Sequence, residues 1–203
     1  MSVSALPWFV LSYLVGAIPT SLIVGKLLRK IDLREHGSRN LGATNVYRVL
    51  GWKYAIPVAI FDILKGTIPV LFFAPRVSPS LVTALLIGIA AIVGHVYSIF
   101  AGFKGGKGVA TAAGAMFAIA LGPALLSLAV FIITVVLARY VSLGSILAAL
   151  LFPLFLRFFH APLLIIGLSL PILFIILLRH AGNIRRLVAG TERKFGRKTE
   201  PSE

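Results

Sequence analysis

The sequence predicts an all-α integral membrane protein with seven transmembrane helices, its amino terminus outside and its carboxyl terminus in the cytoplasm. Three observations carry that prediction. The 203 residues are 59% hydrophobic, with a mean hydropathy of +1.00, and only 13% are charged, against roughly 25% in ordinary soluble domains. Apolar runs near the ~20 residues that cross a hydrocarbon core recur along the chain. Lysine and arginine collect between alternate runs, as they do in loops retained in the cytoplasm.

The first run covers residues 6–28. No positive stretch precedes it and no small-residue cleavage site follows, so it reads as a retained helix and not a signal peptide. A polar stretch, 29–53, leads to the second run, 54–74, which carries Asp62 and Lys65. Their opposite signs and spacing make a mutual pair inside the bundle the simplest account of ionisable residues at that depth. The third run is 80–100. The fourth, 109–121, and fifth, 124–138, are short, with Gly122-Pro123 as the expected turn. The sixth, 145–159, and seventh, 163–178, are separated by His160-Ala161-Pro162, and a basic tail occupies 179–203. Residues 1–203 thus read as a single seven-span domain, with Pro19, Pro57 and Pro69 as candidate helix breaks.

The net charge of +14 raises nucleic acid as a partner, but the basic residues alternate with apolar runs and form no continuous polar face. Anionic membrane lipid is the better match. The absence of cysteine excludes disulfides, thiolate catalysis and cysteine zinc sites. No His, Asp and Glu spacing suggests a metal, no Ser-His-Asp arrangement is identifiable, and no cofactor is expected. Only Arg76 and Arg157 fall on outer connections and Lys65 lies within a span; every other lysine and arginine lies on the side of the tail. Merging the fourth and fifth runs would separate the tail from the basic residues of 102–108. With seven spans, all the polar motifs fall on the cytoplasmic face.

The first motif runs from Gly37 to Arg48, Gly-Ser-Arg-Asn-Leu-Gly-Ala-Thr-Asn-Val-Tyr-Arg. Gly42 offers a backbone N–H, Ser38 and Thr44 offer hydroxyls, and Arg39 and Arg48 offer planar forks matched to phosphate oxygens. Thr44 or Asn45 is a candidate cap for a helix starting near Ala43. An interfacial helix with arginines on lipid phosphates remains the alternative. The second motif, Gly94-His95 followed by Gly102-Phe103-Lys104-Gly105-Gly106-Lys107-Gly108, reads either as a phosphate cradle or as a basic turn. It is not a Walker A loop, because Ala101 stands at the first glycine position and Gly108 replaces the hydroxyl residue. His95 reads as structural. In the third motif, Arg179 to Leu187 with Gly190-Thr191-Glu192, His180 and Asn183 share one helical face. A neutral histidine there can accept a proton, while the arginines equally suit anionic lipid. Glu192 is expected to pair with an arginine. Ser142 and Ser145 either join the anion site or cap the sixth helix.

Taken together, these three motifs resemble the PlsY family, bacterial acyl-phosphate:glycerol-3-phosphate acyltransferases, over essentially the whole chain. The resemblance implies transfer of a fatty acyl group from acyl phosphate to the 1-hydroxyl of glycerol 3-phosphate, giving lysophosphatidic acid and phosphate. It implies catalytic Ser38, Arg48, His180 and Asn183, phosphate binding by Gly105, Gly106 and Lys107, and a structural Glu192. The residues' own chemistry adds Gly42, Thr44, Asn45, Lys104, Ser142 and Ser145 to the phosphate set. The expected protein is a monomer in the bacterial cytoplasmic (inner) membrane, active at its cytoplasmic face, with acyl phosphate, glycerol 3-phosphate and membrane lipid as partners and no nucleic acid. The rival reading is an organic-anion transporter or flippase, which would place its polar groups near the midplane on broken helices.

Overall fold

Proline, glycine and buried polar residues decide where the apolar runs become separate helices. A computed structural model describes residues 4–196, and these form helices and connections with no strand. The first run is broken at Ile18-Pro19 into α1 (Leu6–Ala17) and α2 (Thr20–Arg29). Proline lacks the N–H that would continue the ladder, and the Ile18 carbonyl released there accepts from Lys65 Nζ at 2.8 Å. A short helix, α3 (Ala43–Leu50), lies within the polar stretch. Next, α4 (Trp52–Ile68) continues through a π-helical turn (Pro69–Phe73) into α5 (Ala74–Val77). Pro57 stays within α4, whereas Pro69 opens the π turn.

After α6 (Leu81–Val96) comes a 3₁₀ turn (Ile99–Ala101), and then α7 (Val109–Ile119) and α8 (Leu121–Ala138). The turn expected at Gly122-Pro123 falls instead at Ala120, which leaves Pro123 in the first turn of α8, where a missing N–H costs nothing. Then α9 (Val141–Phe158), α10 (Leu163–Arg179) and α11 (Ala181–Val188) complete the described chain. The sixth run starts earlier than expected because Ser145 lies inside α9, its hydroxyl donating to the Val141 carbonyl at 2.9 Å. It caps nothing. The expected tail, 179–203, begins as α11, bent by 59° from α10; residues 197–203 lie outside the described residues.

Five segments are long and apolar enough to cross a membrane: Leu6–Arg29, Trp52–Val77, Leu81–Ala101, Leu121–Ala138 and Val141–Phe158. The bent pair Leu163–Arg179 with Ala181–Val188 makes a sixth. The remaining apolar helix, α7, has 11 residues, about 16 Å at 1.5 Å per residue and short of a ~30 Å hydrocarbon core.

Two glycine crossings set the frame. A Cβ on Gly16 would press into the Ala91 carbonyl, and one on Gly94 into the Tyr13 carbonyl, so α1 and α6 meet backbone to backbone. Gly66 and Gly114 do the same for α4 and α7, against the carbonyls of Thr111 and Ile63. Where lipid removes most of the hydrophobic drive between helices, close approach at small residues supplies the contact. The main apolar core, with Leu85, Ile92, Ala115, Met116, Phe152 and Ile172, joins α6, α7, α9 and α10. A second cluster, with Leu33, Leu41, Val46 and Val58, seats α3 and the preceding loop on α4.

Candidate active site

All three polar motifs converge at one end of the bundle around a cavity of about 580 Å³. Its polar end is lined by Ser38, Arg48, Lys107, Arg179, His180 and Asn183, and its remainder by apolar side chains including Met116, Phe117, Phe131, Phe152 and Ile172. This volume falls within the usual range of small-molecule sites.

The first motif is shaped by Asn45. Its Oδ1 accepts from the Ser38 N–H at 2.7 Å, and its Nδ2 donates to the carbonyls of Leu33 and His36, both at 3.1 Å. Gly37 adopts φ +64°, and a Cβ there would strike Asn45 Oδ1. Asn45 therefore holds the loop that presents Ser38, and its amide is occupied by backbone. The cap of α3 is Gly42, with no side-chain bond, so neither Thr44 nor Asn45 caps it. Both line the cavity, as does Gly42. Arg48 reaches the cavity from the last turn of α3; burial lowers its pKa, with Glu192 opposing.

The glycine-lysine loop is built differently from a cradle of free N–H groups. The Gly105 N–H donates to the Val96 carbonyl and the Gly106 N–H to that of His95, each at 3.1 Å. A Cβ on Gly105 would overlap the His95 carbonyl, and one on Gly106 would overlap His95 Nε2 and crowd the Leu41 carbonyl. These glycines are needed for close approach of the loop to the end of α6. Arg179 clamps the outer side, donating from Nε to the Gly106 carbonyl at 3.3 Å and from Nη2 to that of Gly105 at 3.4 Å. Lys104 is exposed and lies off the cavity wall, whereas Lys107 points into it. The donors expected from Gly105, Gly106 and Lys104 are thus not presented to the cavity, because backbone pairing and exposure claim them. Lys107 remains, its pKa lowered by burial to about 8, Glu192 opposing that shift and Arg186 adding to it.

Downstream, a chain of polar contacts orders the third motif. Lys107 Nζ donates to Asn183 Oδ1. Asn183 Nδ2 donates to Glu192 Oε1 at 2.7 Å, and Ser142 Oγ donates to the same oxygen at 2.8 Å. Arg186 Nε meets Glu192 Oε2 at 2.7 Å. Burial raises the Glu192 pKa, but the hydrogen bonds from Asn183, Ser142 and Arg186 outweigh it and hold the carboxylate below its ordinary value. Ser142 therefore supports Glu192, and both Ser142 and Ser145 line the cavity. His180 sits buried in the bend between α10 and α11, with Nδ1 2.8 Å from the Ile176 carbonyl. A carbonyl only accepts, so the proton is on Nδ1 and Nε2 carries the lone pair.

Three charged cavity residues were not singled out as site residues by the sequence: Asp62, Arg179 and Arg186. The signal for the arginines was their place beside His180 and Asn183, where a lipid-binding cluster explained them equally well. Asp62 accepts from Lys65 Nζ at 2.7 Å, the pair expected within the span, and additionally from Thr20 Oγ1 at 2.8 Å.

Residues 6–190 match the family model described as glycerol-3-phosphate acyltransferase. The chain is similar to "Glycerol-3-phosphate acyltransferase" of Chlorobaculum tepidum, 44% identical over 93% of this chain and 96% of that one. It is also similar to "Glycerol-3-phosphate acyltransferase 2" of Bacillus anthracis, 46% identical over 92% and 96%. Two crystal structures of PlsY, an integral membrane glycerol 3-phosphate acyltransferase, superpose on it at 42% identity over 96% of both chains. Their TM-scores are 0.89 for the glycerol 3-phosphate form and 0.86 for the lysophosphatidic acid form. With the family model spanning most of the chain and these relatives matched almost end to end, the protein belongs to the PlsY family of integral membrane glycerol-3-phosphate acyltransferases.

Proposed function

We propose that the protein transfers a fatty acyl group from acyl phosphate to the 1-hydroxyl of glycerol 3-phosphate, releasing lysophosphatidic acid and inorganic phosphate. The observation that carries this reading is the two-part cavity, cationic at one end and apolar along the rest. A ligand with a phosphate head and a long apolar chain matches it, and a second small anion fits beside the head where Arg48, Lys107 and Arg179 gather.

The chemistry needs no covalent enzyme intermediate. The 1-hydroxyl oxygen attacks the acyl carbonyl carbon, the bond from that carbon to the phosphate oxygen breaks, and the hydroxyl proton passes to a phosphate oxygen. His180, with its proton on Nδ1 toward the Ile176 carbonyl, presents the Nε2 lone pair as an acceptor for the glycerol 3-phosphate hydroxyl. Its role is to orient the acceptor through Nε2, with Asn183 alongside. Arg48 and Lys107 neutralise the two phosphates, and Ser38 donates to the developing oxyanion or the leaving phosphate.

In this reading residues 1–203 form one monomeric domain of seven spans, with α7 counted as the fourth, in the bacterial cytoplasmic membrane. The amino terminus is outside and the site faces the cytoplasm, where most lysines and arginines lie. The test is purified protein in lipid or detergent, supplied with acyl phosphate and glycerol 3-phosphate. Equal yields of phosphate and lysophosphatidic acid are expected. Absence of both from a folded preparation refutes the reading and puts an organic-anion transporter or flippase ahead.

A further inference from the structure

The segment that follows α11 has no part in the transfer just described, yet it is fastened at both ends. Gly190, at φ +68°, turns the backbone out of α11, and the N–H groups of Thr191 and Glu192 return to the Arg186 carbonyl at 2.8 and 3.1 Å. The Glu192 carboxylate accepts from Ser142 in the first turn of α9. Three residues on, the Phe195 N–H donates to the Arg139 carbonyl at 2.6 Å, and Lys194 Nζ stands 5.8 Å from the centre of the Tyr140 ring, within cation–π reach. Residues 192–195 are thus held against the junction of α8 and α9. From there the Phe195 ring reaches α3, where it stacks on Tyr47 with centroids 4.8 Å and planes 27° apart. Phe195 remains 40% exposed, so the contact is a clasp between segments and not part of either apolar core.

Tyr47 immediately precedes Arg48 on α3, and Arg48 lines the cavity. This helix has only 8 residues, with Gly42 and Gly51 at its ends, so packing and not its own hydrogen bonds decides where it lies. Val46 and Val58 seat it on α4, and Phe195 supplies a second hold at Tyr47. Among the described residues Arg48 joins no ion pair, so the direction of its guanidinium follows the helix that carries it. A planar fork needs that direction held to meet a phosphate through two parallel hydrogen bonds.

We propose that Phe195 is a positioning residue for acyl transfer: stacked on Tyr47, it holds α3 at the angle from which Arg48 meets a substrate phosphate. The inference rests on reading the cavity as the acyltransferase site. Phe195 is off the cavity wall and acts through Tyr47 and α3. The clasp also ties the first motif to the third, since the segment that reaches Phe195 starts from Glu192, which accepts from Asn183. A ring is required because stacking is a contact between flat faces; an aliphatic side chain covers Tyr47 but leaves it free to slide.

The test follows Phe195→Leu and Phe195→Tyr in lipid or detergent, with acyl phosphate and glycerol 3-phosphate as substrates. Leucine should leave Tm within about 3 °C of wild type. A misaimed Arg48 should nevertheless raise KM for one or both substrates at least about fivefold, with kcat changed less than about threefold. Tyrosine keeps the ring face and should bring both KM values within about twofold of wild type. In an Arg48→Lys background, where a compact ammonium on a flexible stem replaces the fork, leucine should add less than about twofold. Tyr47→Leu removes the stack from its other side and should give the same KM rise, so the proposal is decided even where one variant fails to fold. Wild-type kinetics in folded Phe195→Leu overturn it. So does a fall in kcat with unchanged KM, which marks a smaller fraction of folded molecules, and so does an undiminished further rise in Arg48→Lys protein, which shows that the ring acts elsewhere. Wild-type protein that turns over neither substrate is a different result, and refutes the acyltransfer reading itself.

Discussion

Glu192→Ala and Glu192→Gln should have very different consequences, because the two donors that matter converge on one oxygen. Ser142 and Asn183 both donate to Oε1, at 2.8 and 2.7 Å, and only Arg186 uses Oε2. Alanine leaves two buried donors unpaired at about 1–3 kcal/mol each. The Arg186 contact adds little, since that side chain is 47% exposed and such pairs are worth about 0–1 kcal/mol. The alanine variant should therefore lose about 3 kcal/mol and, for a chain of this size, unfold about 10 °C lower. Glutamine keeps an acceptor at Oε1 but puts an NH2 where Oε2 accepted from Arg186, so it loses that exposed contact and its cost should be about 1 kcal/mol or about 3 °C. The assay is thermal unfolding in one detergent at pH 7, together with KM for both substrates. Alanine should also raise KM, because Glu192 determines which way the Asn183 amide faces and therefore whether Oδ1 meets Lys107. Equal destabilisation by the two substitutions, or a fully stable alanine variant, refutes the reasoning.

Three further predictions concern the loop and its lysine. Lys107 has its pKa lowered from 10.5 to about 8, so kcat/KM should fall as pH rises through about 8 while that site loses its charge. The stability effect has the opposite sign: between about pH 8 and 10.5 the unfolded chain holds the extra proton, so the contribution of Lys107 becomes more favourable with rising pH. Activity and Tm followed across that window should diverge, and parallel decline of both would remove Lys107 from the phosphate site. Gly106→Ala should lower kcat/KM at least about tenfold in protein that still elutes as a single folded species, because its methyl displaces the His95 ring; wild-type kinetics would show that the loop yields freely. Lys104→Ala should leave both KM values within about twofold, since that side chain is exposed and off the cavity wall, and a large rise in either would return it to the binding set.

Much of the frame was legible because apolar run length and proline placement act locally. Pro19 marked a real break, and the spans from Leu81 and Leu163 start within a residue of where the hydropathy puts them. Pro57 could not be distinguished from Pro19 by sequence, because whether a helix survives a proline depends on neighbours from elsewhere in the chain. The same holds within the site. That Ser38, Lys107, His180 and Asn183 would meet followed from motif content and charge asymmetry. What could not be read was the destination of each donor. The N–H groups of Gly105 and Gly106 look available in a glycine-rich string, and only the fold reveals that α6 has already claimed them. Asp62 suggested its neighbour Lys65, three residues away, but not Thr20 or His95, which arrive from distant helices.

The two glycine crossings bear on whether this loop can be moved to another protein. Gly94 joins α6 to α1 immediately before His95, and Gly114 joins α7 to α4 soon after Lys107, so the connection between them is anchored to separate helix pairs at either end. Its shape is therefore a property of four helices and not of the motif. A graft of residues 94–108 onto another membrane scaffold would carry the letters without the joints, whereas a graft that brings both helix pairs would carry the geometry. Swaps among relatives should succeed or fail by the same criterion, with compatibility decided at Gly16 and Gly66, far along the chain from the lysine they help to aim.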